Sequence, residues 1–279
     1  HFVVGRRQLM LCLNIKDLNH KMKIATWNVN SLKVRLHQVL SWIESSKVDV
    51  LCLQETKQNN DNFPHDTFKK LGLYSYHNGQ NTYNGVALIS RKPLSNVLLD
   101  LPNFDDPQKR LISGEYEISE NNKVRIISAY IPNGQSLDSE KFVYKKNWLN
   151  NFCKWIDQLT DNKIIITGDF NIAPEDIDCH DPESWSGKNL VSDEERTYFN
   201  KILNIGFDDS FRILNPKSNE YSWWDYRMAG FRRNLGMRID HILVSKTLLH
   251  DLSRSYIDKE PRKLERPSDH TPVISEFTD

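Results

Sequence analysis

Short apolar runs that stop on a polar side chain recur along this chain. The plainest covers residues 163–174, where Ile164, Ile165, Ile166 and Thr167 suit a strand buried on both faces, because β-branched side chains fit a pleated sheet. Gly168, Asp169, Phe170 and Asn171 follow, and in extended backbone a two-residue spacing puts Asp169 and Asn171 on the same side. Pro174 prevents the strand from continuing. A loop carboxylate capping a turn would account for this segment taken alone. A buried strand, however, has no structural use for an unpaired carboxylate at its end, since desolvating one is costly. Recurrence of the pattern decides between these readings.

Residues 23–28 predict a first strand ending in the amide of Asn28, followed by a turn and a helix whose Leu36, Val39, Leu40 and Ile43 fall at i, i+3, i+4 and i+7. Residues 48–55 predict a second strand ending on Glu55, with Lys57 two positions on. Asn84-Gly85 signals a turn into a strand that Pro93 follows. Residues 111–118 and 124–130 read as neighbouring strands, the second ending on Tyr130 just before Pro132, Asn133 and Gly134. Phe142, Leu149, Phe152 and Ile156 mark a long amphipathic helix leading into the 164–171 strand. Residues 179–190 lack periodicity and read as loop, and Ser192 opens a helix with three acids near the positive end of its dipole. Residues 238–245 predict a strand with Asp240 near its start, and Ser268-Asp269-His270 runs into a final strand. No linker divides the chain, and its two halves share a faint order of strand, helix and further strands. The expected architecture is a single α/β domain of two packed sheets with helices outside.

Composition changes this little. With 279 residues, 38% hydrophobic and 27% charged, the chain can build a large core. Lys+Arg and Asp+Glu both number 37, so bulk charge announces no nucleic acid, although a local basic rim would suffice to meet phosphates. Cys12, Cys52, Cys153 and Cys179 form no CxxC pair, which argues against zinc or a disulfide framework and for a reducing cytosol. No apolar run approaches the ~18 residues of a membrane span. Residues 1–21 lack an initiator Met and carry Arg6-Arg7 before a short apolar run that Asn14 interrupts. They are expected to be an extension outside the fold, with a degenerate targeting segment as the alternative, and the domain is expected to cover residues 22–279.

The polar residues at the strand ends are Asn28, Glu55, Tyr130, Asp169, Asn171, Asp240, Asp269 and His270. Strand ends are where α/β sheets assemble their sites. Carboxylates and amides are hard oxygen ligands suited to Mg²⁺ or Mn²⁺, with no thiolate for zinc. Asp269-His270 is the sharpest pair, a His beside acids that can bind phosphate as a cation or carry a proton. A loop His capping the last strand is the plain alternative.

Five segments, Thr26-Trp27-Asn28-Val29-Asn30-Ser31-Leu32, Leu53-Gln54-Glu55-Thr56-Lys57, Gly168-Asp169-Phe170-Asn171-Ile172-Ala173-Pro174, Arg238-Ile239-Asp240-His241-Ile242-Leu243 and Ser268-Asp269-His270-Thr271-Pro272, resemble the signatures of the exonuclease III branch of the exonuclease–endonuclease–phosphatase superfamily. They stand in the family's order and spread over nearly all of residues 22–279. The resemblance implies a four-layer α/β/β/α sandwich of two mixed sheets that hydrolyses DNA phosphodiesters with Mg²⁺ or Mn²⁺. It implies Glu55 as the main metal ligand, with Asn30 and Asp269 beside it and Asn28 holding the carboxylates. Asp169 would orient or deprotonate water, sharing the metal's surroundings with Asn171. Asn171, Tyr130 and His270 would hold the scissile phosphate, and Asp240 would accept a bond from His270. Donors and a cation aimed at a pentacoordinate phosphate stabilise its growing negative charge.

The aromatic and basic segment 221–238 resembles the family's damage-recognition loop. Two adjacent Trp cannot both point inward from an extended segment. Trp223 and Met237 would line a pocket for an extruded base-less sugar, Arg227 would wedge into the duplex, and Lys57, Arg110, Asn133 and Gln135 would contact the DNA backbone. The implied protein is a monomeric DNA-repair nuclease of the cytoplasm, associated with the nucleoid: an apurinic/apyrimidinic endonuclease with 3′-to-5′ exonuclease and 3′-phosphatase or phosphodiesterase action on double-stranded DNA. A phosphatase or lipid phosphodiesterase of the same superfamily would lack the 221–238 segment. A decayed DNA-binding protein would have lost Glu55, Asp169, Asp240 or His270, all of which are present.

Overall fold

The structure, a computed structural model, describes residues 20–278. Most of the expected extension lies outside the described residues, and the first strand begins at His20, which pairs with Thr278. The strands are β1 (His20–Asn28), β2 (Val50–Gln54), β3 (Tyr74–Asn78), β4 (Val86–Ser90), β5 (Leu94–Leu99), β6 (Leu111–Ser119), β7 (Asn122–Tyr130), β8 (Ile164–Asp169), β9 (Phe207–Asp209), β10 (Trp223–Trp224), β11 (Gly236–Met237), β12 (Asp240–Ser245), β13 (Leu252–Ile257) and β14 (Val273–Thr278). The helices are α1 (Leu32–Ser46), α2 (His65–Lys70), α3 (Glu140–Asp157), α4 (Pro182–Trp185), α5 (Asp193–Gly206) and α6 (Ser210–Leu214).

Two six-stranded sheets carry the fold, ordered β13-β14-β1-β2-β4-β3 and β5-β6-β7-β8-β12-β9. Each is built around one parallel pair, β1 with β2 and β7 with β8, flanked by antiparallel neighbours. The alternation of side chains along a strand sends one set inward and the other out. Ile24, Cys52, Leu88, Ile126, Ile165 and Ile242 meet between the sheets. Ala25, Trp27, Leu51 and Leu53 face outward against Val39, Trp42 and Ile43 of α1. On the other flank Ile127, Ala129, Ile164 and Ile166 receive Leu149 and Phe152 of α3 with Phe199 and Ile202 of α5. The layers are therefore α/β/β/α, as expected, and each fully buried aliphatic side chain contributes about 1.5–3 kcal/mol.

This topology brings the strand ends together. The parallel strands β1, β2, β7 and β8 finish at one edge of the sandwich, and the antiparallel β12 and β14 start there. Register places Tyr130 beside Asp169 and Asp240 on the other side of Asp169. The β8 strand stops at Asp169, earlier than the extended reading to Asn171, because Asn171 adopts a left-handed backbone with φ of 51°. Just before it, a Cβ on Gly168 would lie 1.8 Å from the Ala129 carbonyl oxygen, so only glycine lets β7 and β8 close up there. The loop expected at 179–190 contains the short helix α4, started by Asp181, whose side chain accepts from the Ser184 amide.

Candidate active site at the strand ends

Glu55 and Asp169 end neighbouring layers of the sandwich, and one amide joins them. Asn28 Nδ2 donates to Glu55 Oε1 and to Asp169 Oδ2, both at 2.9 Å. Asn28 Oδ1 in turn accepts from the Asn30 backbone at 3.0 Å, which fixes the amide's orientation. Glu55 itself has φ of 51°, a left-handed backbone that costs a non-glycine residue about 1–2 kcal/mol and commonly marks a working site. From the far oxygen of Glu55 a chain of contacts continues outward. Lys57 Nζ lies 2.9 Å from Glu55 Oε2 and donates to Asn30 Oδ1 at 2.6 Å. Asn30 Nδ2 donates to Asp269 Oδ1 at 2.9 Å, and Trp223 Nε1 donates to Asp269 Oδ2 at 3.0 Å.

His270 is fixed from both sides. Its Nδ1 bonds Asp240 Oδ2 at 2.9 Å and its Nε2 lies 3.7 Å from Asp169 Oδ2. Burial works against the imidazolium, but Asp240 and Asp169 outweigh it and raise the His270 pKa, so the ring is doubly protonated at neutral pH. Burial raises the Asp169 pKa, with Asp240 and Glu55 pushing the same way and His270 opposing them. Asp269 moves the other way: burial is overcome by His270 and by the bonds from Asn30 and Trp223, and its pKa falls. The Tyr130 phenol is raised well above its usual value by burial and by the Glu55 carboxylate, despite Arg110, and remains a donor.

Glu55, Asp169 and His270 each present a ligand atom within 4.8 Å of one another. A protonated His270 has no lone pair to offer a cation, so its place is that of a donor. The carboxylates of this group are Glu55 and Asp169, and Asp269 joins it through Asn30, with both of its oxygens accepting from Asn30 and Trp223. Among the described residues, the cations within ion-pair distance of these carboxylates and of Asp240 are Lys57, on Glu55, and His270, on Asp169 and Asp240. That hard, electron-rich and under-neutralised set fits a divalent metal ion.

The remaining expected residues divide. Asn171 Oδ1 accepts from Asn133 Nδ2 at 2.9 Å and Asn171 Nδ2 donates to the Ile131 carbonyl at 3.0 Å, so its oxygen is spent within the protein and its amide nitrogen is the useful face. Asn133 consequently serves Asn171 with its side chain. Arg110 is buried, gives its guanidinium to Gln108 and the Tyr130 carbonyl, and stacks 4.7 Å from the Tyr130 ring centroid. It supports Tyr130 more directly than it offers charge to a ligand. Lys57 likewise faces the carboxylates. Gln135 and Arg110 line an open cleft of about 600 Å³ that begins at Tyr130. A second, more apolar cavity of about 420 Å³ is lined by Trp223, Trp185, His180, Met228, Leu235 and Arg227. Met237 is fully buried behind it, paired with Trp223 across the β10–β11 ribbon, and does not line the cavity. Arg227 is exposed and held by Asp225 at 2.6 Å.

Sequence reasoning passed over the residues that hold this site in place. Ser222 Oγ donates to Asp240 Oδ2 at 2.7 Å while accepting from the Ile239 and Asp240 backbone. His77 stacks on Phe63 with ring centroids 4.1 Å apart and bonds Thr56 Oγ1, next to Glu55, at 2.9 Å. A serine or histidine of this kind carries no local signal, because its partner is distant in sequence.

The sequence profile described as the Endonuclease/Exonuclease/phosphatase family matches residues 25–270. The chain belongs to this family. Among its relatives is exodeoxyribonuclease III of Haemophilus influenzae, 37% identical over 267 residues that cover 92% of this chain and 100% of that protein. Among solved structures, the 3′ phosphatase NExo from Neisseria, bound to a product DNA hairpin, has a TM-score of 0.89 and 45% identity, covering 92% of this chain and 99% of that one. An AP endonuclease from Archaeoglobus fulgidus has a TM-score of 0.87 and 36% identity, covering 92% of this chain and 99% of that one. Family membership and the site geometry agree on a phosphodiester-hydrolysing enzyme.

Proposed function

We propose that the chain is an exodeoxyribonuclease III-like DNA-repair nuclease that hydrolyses DNA phosphodiesters and phosphomonoesters at 3′ ends and at abasic sites. The observation that carries the reading is the Asp240–His270–Asp169 series beside the Glu55 oxygen cluster, because it sets a fixed cation and a raised-pKa carboxylate at one point.

The scissile phosphate lies against His270, Tyr130 and Asn171, all three presenting hydrogens. Asp240 keeps the His270 proton in place, so the ring acts as a fixed charge on the phosphate oxygens. Asp169 faces this group with a carboxylate whose burial makes it a better base than an exposed one, suited to taking a proton from the attacking water. Mg²⁺ or Mn²⁺ held by Glu55, Asp169 and Asp269 would supply Lewis-acid stabilisation of phosphate charge. Trp223 and the cavity beside it would receive the sugar of the damaged nucleotide, and exposed Arg227 would meet the duplex. Asn133 and Gln135 at the cleft mouth, with Arg110 and Lys57 behind, would contact or support contacts to the strand.

Buried free Cys52, Cys153 and Cys179 support a reducing, cytoplasmic setting, and no described helix is long and apolar enough to cross a membrane. A monomer completes the proposal. Cleavage of matched duplexes carrying a single abasic site, a 3′-phosphate or neither, with Mg²⁺ and with EDTA, tests it. Metal-dependent cleavage of the first two is expected. Turnover of phosphoinositides with none of DNA would instead favour a lipid phosphodiesterase.

A further inference from the structure

Lys145 is fully buried in the apolar face of α3, between Phe142 and Leu149. All three of its ammonium protons are used. One goes to Glu195, also buried, one to the Asn171 carbonyl at 2.7 Å and one to the Asn133 carbonyl at 3.2 Å. Glu195 is itself fixed, accepting from the Leu190 and Ser192 amides at 3.1 Å and from Ser192 Oγ at 2.6 Å as the cap of α5. Burial holds the Lys145 pKa below the usual lysine value, with Glu195 and then Asp169 opposing it.

A buried ion pair is weak evidence of stabilisation, because apolar side chains of similar volume often serve as well. What apolar side chains cannot do is donate in fixed directions to two loop carbonyls. Those carbonyls belong to the two asparagines whose side chains meet at the site. Asn171 has its oxygen taken by Asn133 and one amide proton taken by Ile131, which leaves one Nδ2 proton without a partner among the described residues. The direction of that proton depends on the Asn171 backbone, held left-handed at φ 51°, and on the placement of Asn133.

We propose that Lys145, with Glu195 as its counter-ion, is a positioning residue that aims the one free amide proton of Asn171 at the phosphate. The inference rests on the nuclease reading and adds residues from two helices outside the strand-end cluster. Lys145→Met alone would strand Glu195 as a buried unpaired carboxylate, so the test uses Lys145→Met/Glu195→Gln, which keeps the α5 cap acceptor and removes both charges of the pair together. Single-turnover and steady-state cleavage of a 3′-phosphate duplex with Mg²⁺ should show kcat lowered about 10- to 100-fold, the scale of an ångström-sized misplacement. KM should stay within about threefold, as for an interaction felt only in the transition state. In an Asn171→Ala background the same pair of substitutions should cost less than about threefold more, because the residue they aim is gone. Glu195→Gln alone should lower kcat in the same direction by a smaller factor, and serves if the double variant does not fold.

Unchanged kcat in a folded variant overturns the proposal. So does an equal loss on top of Asn171→Ala, which would mean that the pair merely stiffens the scaffold. An inactive wild type sinks the nuclease reading and this inference with it, whereas an active wild type with unaffected variants sinks the inference alone.

Discussion

Asn28 Nδ2 lies 2.9 Å from Asp169 Oδ2, bridging the end of β1 in one sheet to the end of β8 in the other. The same amide holds Glu55, so a neutral side chain keeps two carboxylates of one cluster at a set separation. Asn28→Ala should remove charge-assisted bonds that contribute about 1.5–3 kcal/mol each. It should raise the Mg²⁺ concentration needed for half-maximal cleavage, and Asn28→Asp should disturb it more by adding a carboxylate. Glu55→Gln should lower metal-dependent cleavage by several orders of magnitude while thermal unfolding shows an intact fold, since a metal contributes several kcal/mol of charge stabilisation. Unchanged Mg²⁺ titrations in these variants would remove Glu55 and Asn28 from the metal assignment.

Asp169 and His270 should separate binding from turnover. Asp169→Asn is isosteric and can still meet Asn28, yet it takes no proton from water, so duplex affinity should persist while kcat collapses. His270→Ala should also lose most activity, and Asp240→Ala less, because Asp240 acts through the ring it holds. Equilibrium DNA binding beside single-turnover rates checks this. Near-normal turnover in Asp169→Asn at saturating DNA and Mg²⁺ would transfer the base role elsewhere.

Trp223 is tied to Asp269 through its indole nitrogen while its ring forms one wall of the apolar cavity. Trp223→Ala should lower abasic-site cleavage by about one to two decades, the cost of losing about 1–3 kcal/mol of stacking. Removal of a simple 3′-phosphate should suffer much less. Arg227→Ala should weaken duplex binding and flatten its salt dependence without altering the chemistry. Comparing kcat/KM on the two substrates decides, and equal losses would make the segment structural.

His77 gives the fold a pH dependence near the site. Burial, with a smaller push from His65, lowers its pKa to about 3, so the folded ring stays neutral while the unfolded ring binds a proton below about 6.5. The unfolded state therefore binds more protons between these values, and stability rises with pH across that window. On acidification below about 6.5, urea midpoints should fall with a contribution approaching about 1.4 kcal/mol per pH unit. His77→Gln should remove that part of the slope. A wild-type profile matching the variant's between pH 4 and 6 would contradict it, both values being about where the lowered group stays neutral.

The sequence by itself determined most of the sandwich and most of the reacting groups. Patterns of apolar residues ending in Asn28, Glu55, Tyr130 and Asp169 are local, since a side chain's alternation along a strand and a helix's period are properties of consecutive residues. What joined them was tertiary: two parallel pairs in separate sheets end at one edge, and the antiparallel pairing of β12 with β8, strands remote in the chain, sets Asp240 beside Asp169. The short strands β3, β5, β9 and β13 were not anticipated, because their burial is partial and comes from neighbours remote in the chain. Arg110 and Met237 had residue types suited to ligand contact, but guanidinium partners at Gln108 and Tyr130 and packing behind Trp223 placed them inside. Lys145 left only a weak trace, a lysine on an apolar helical face. Its use became visible once folding had brought Glu195, Asn171 and Asn133 to the same ammonium, because hydrogen-bond satisfaction of a buried charge is settled by space and not by sequence order.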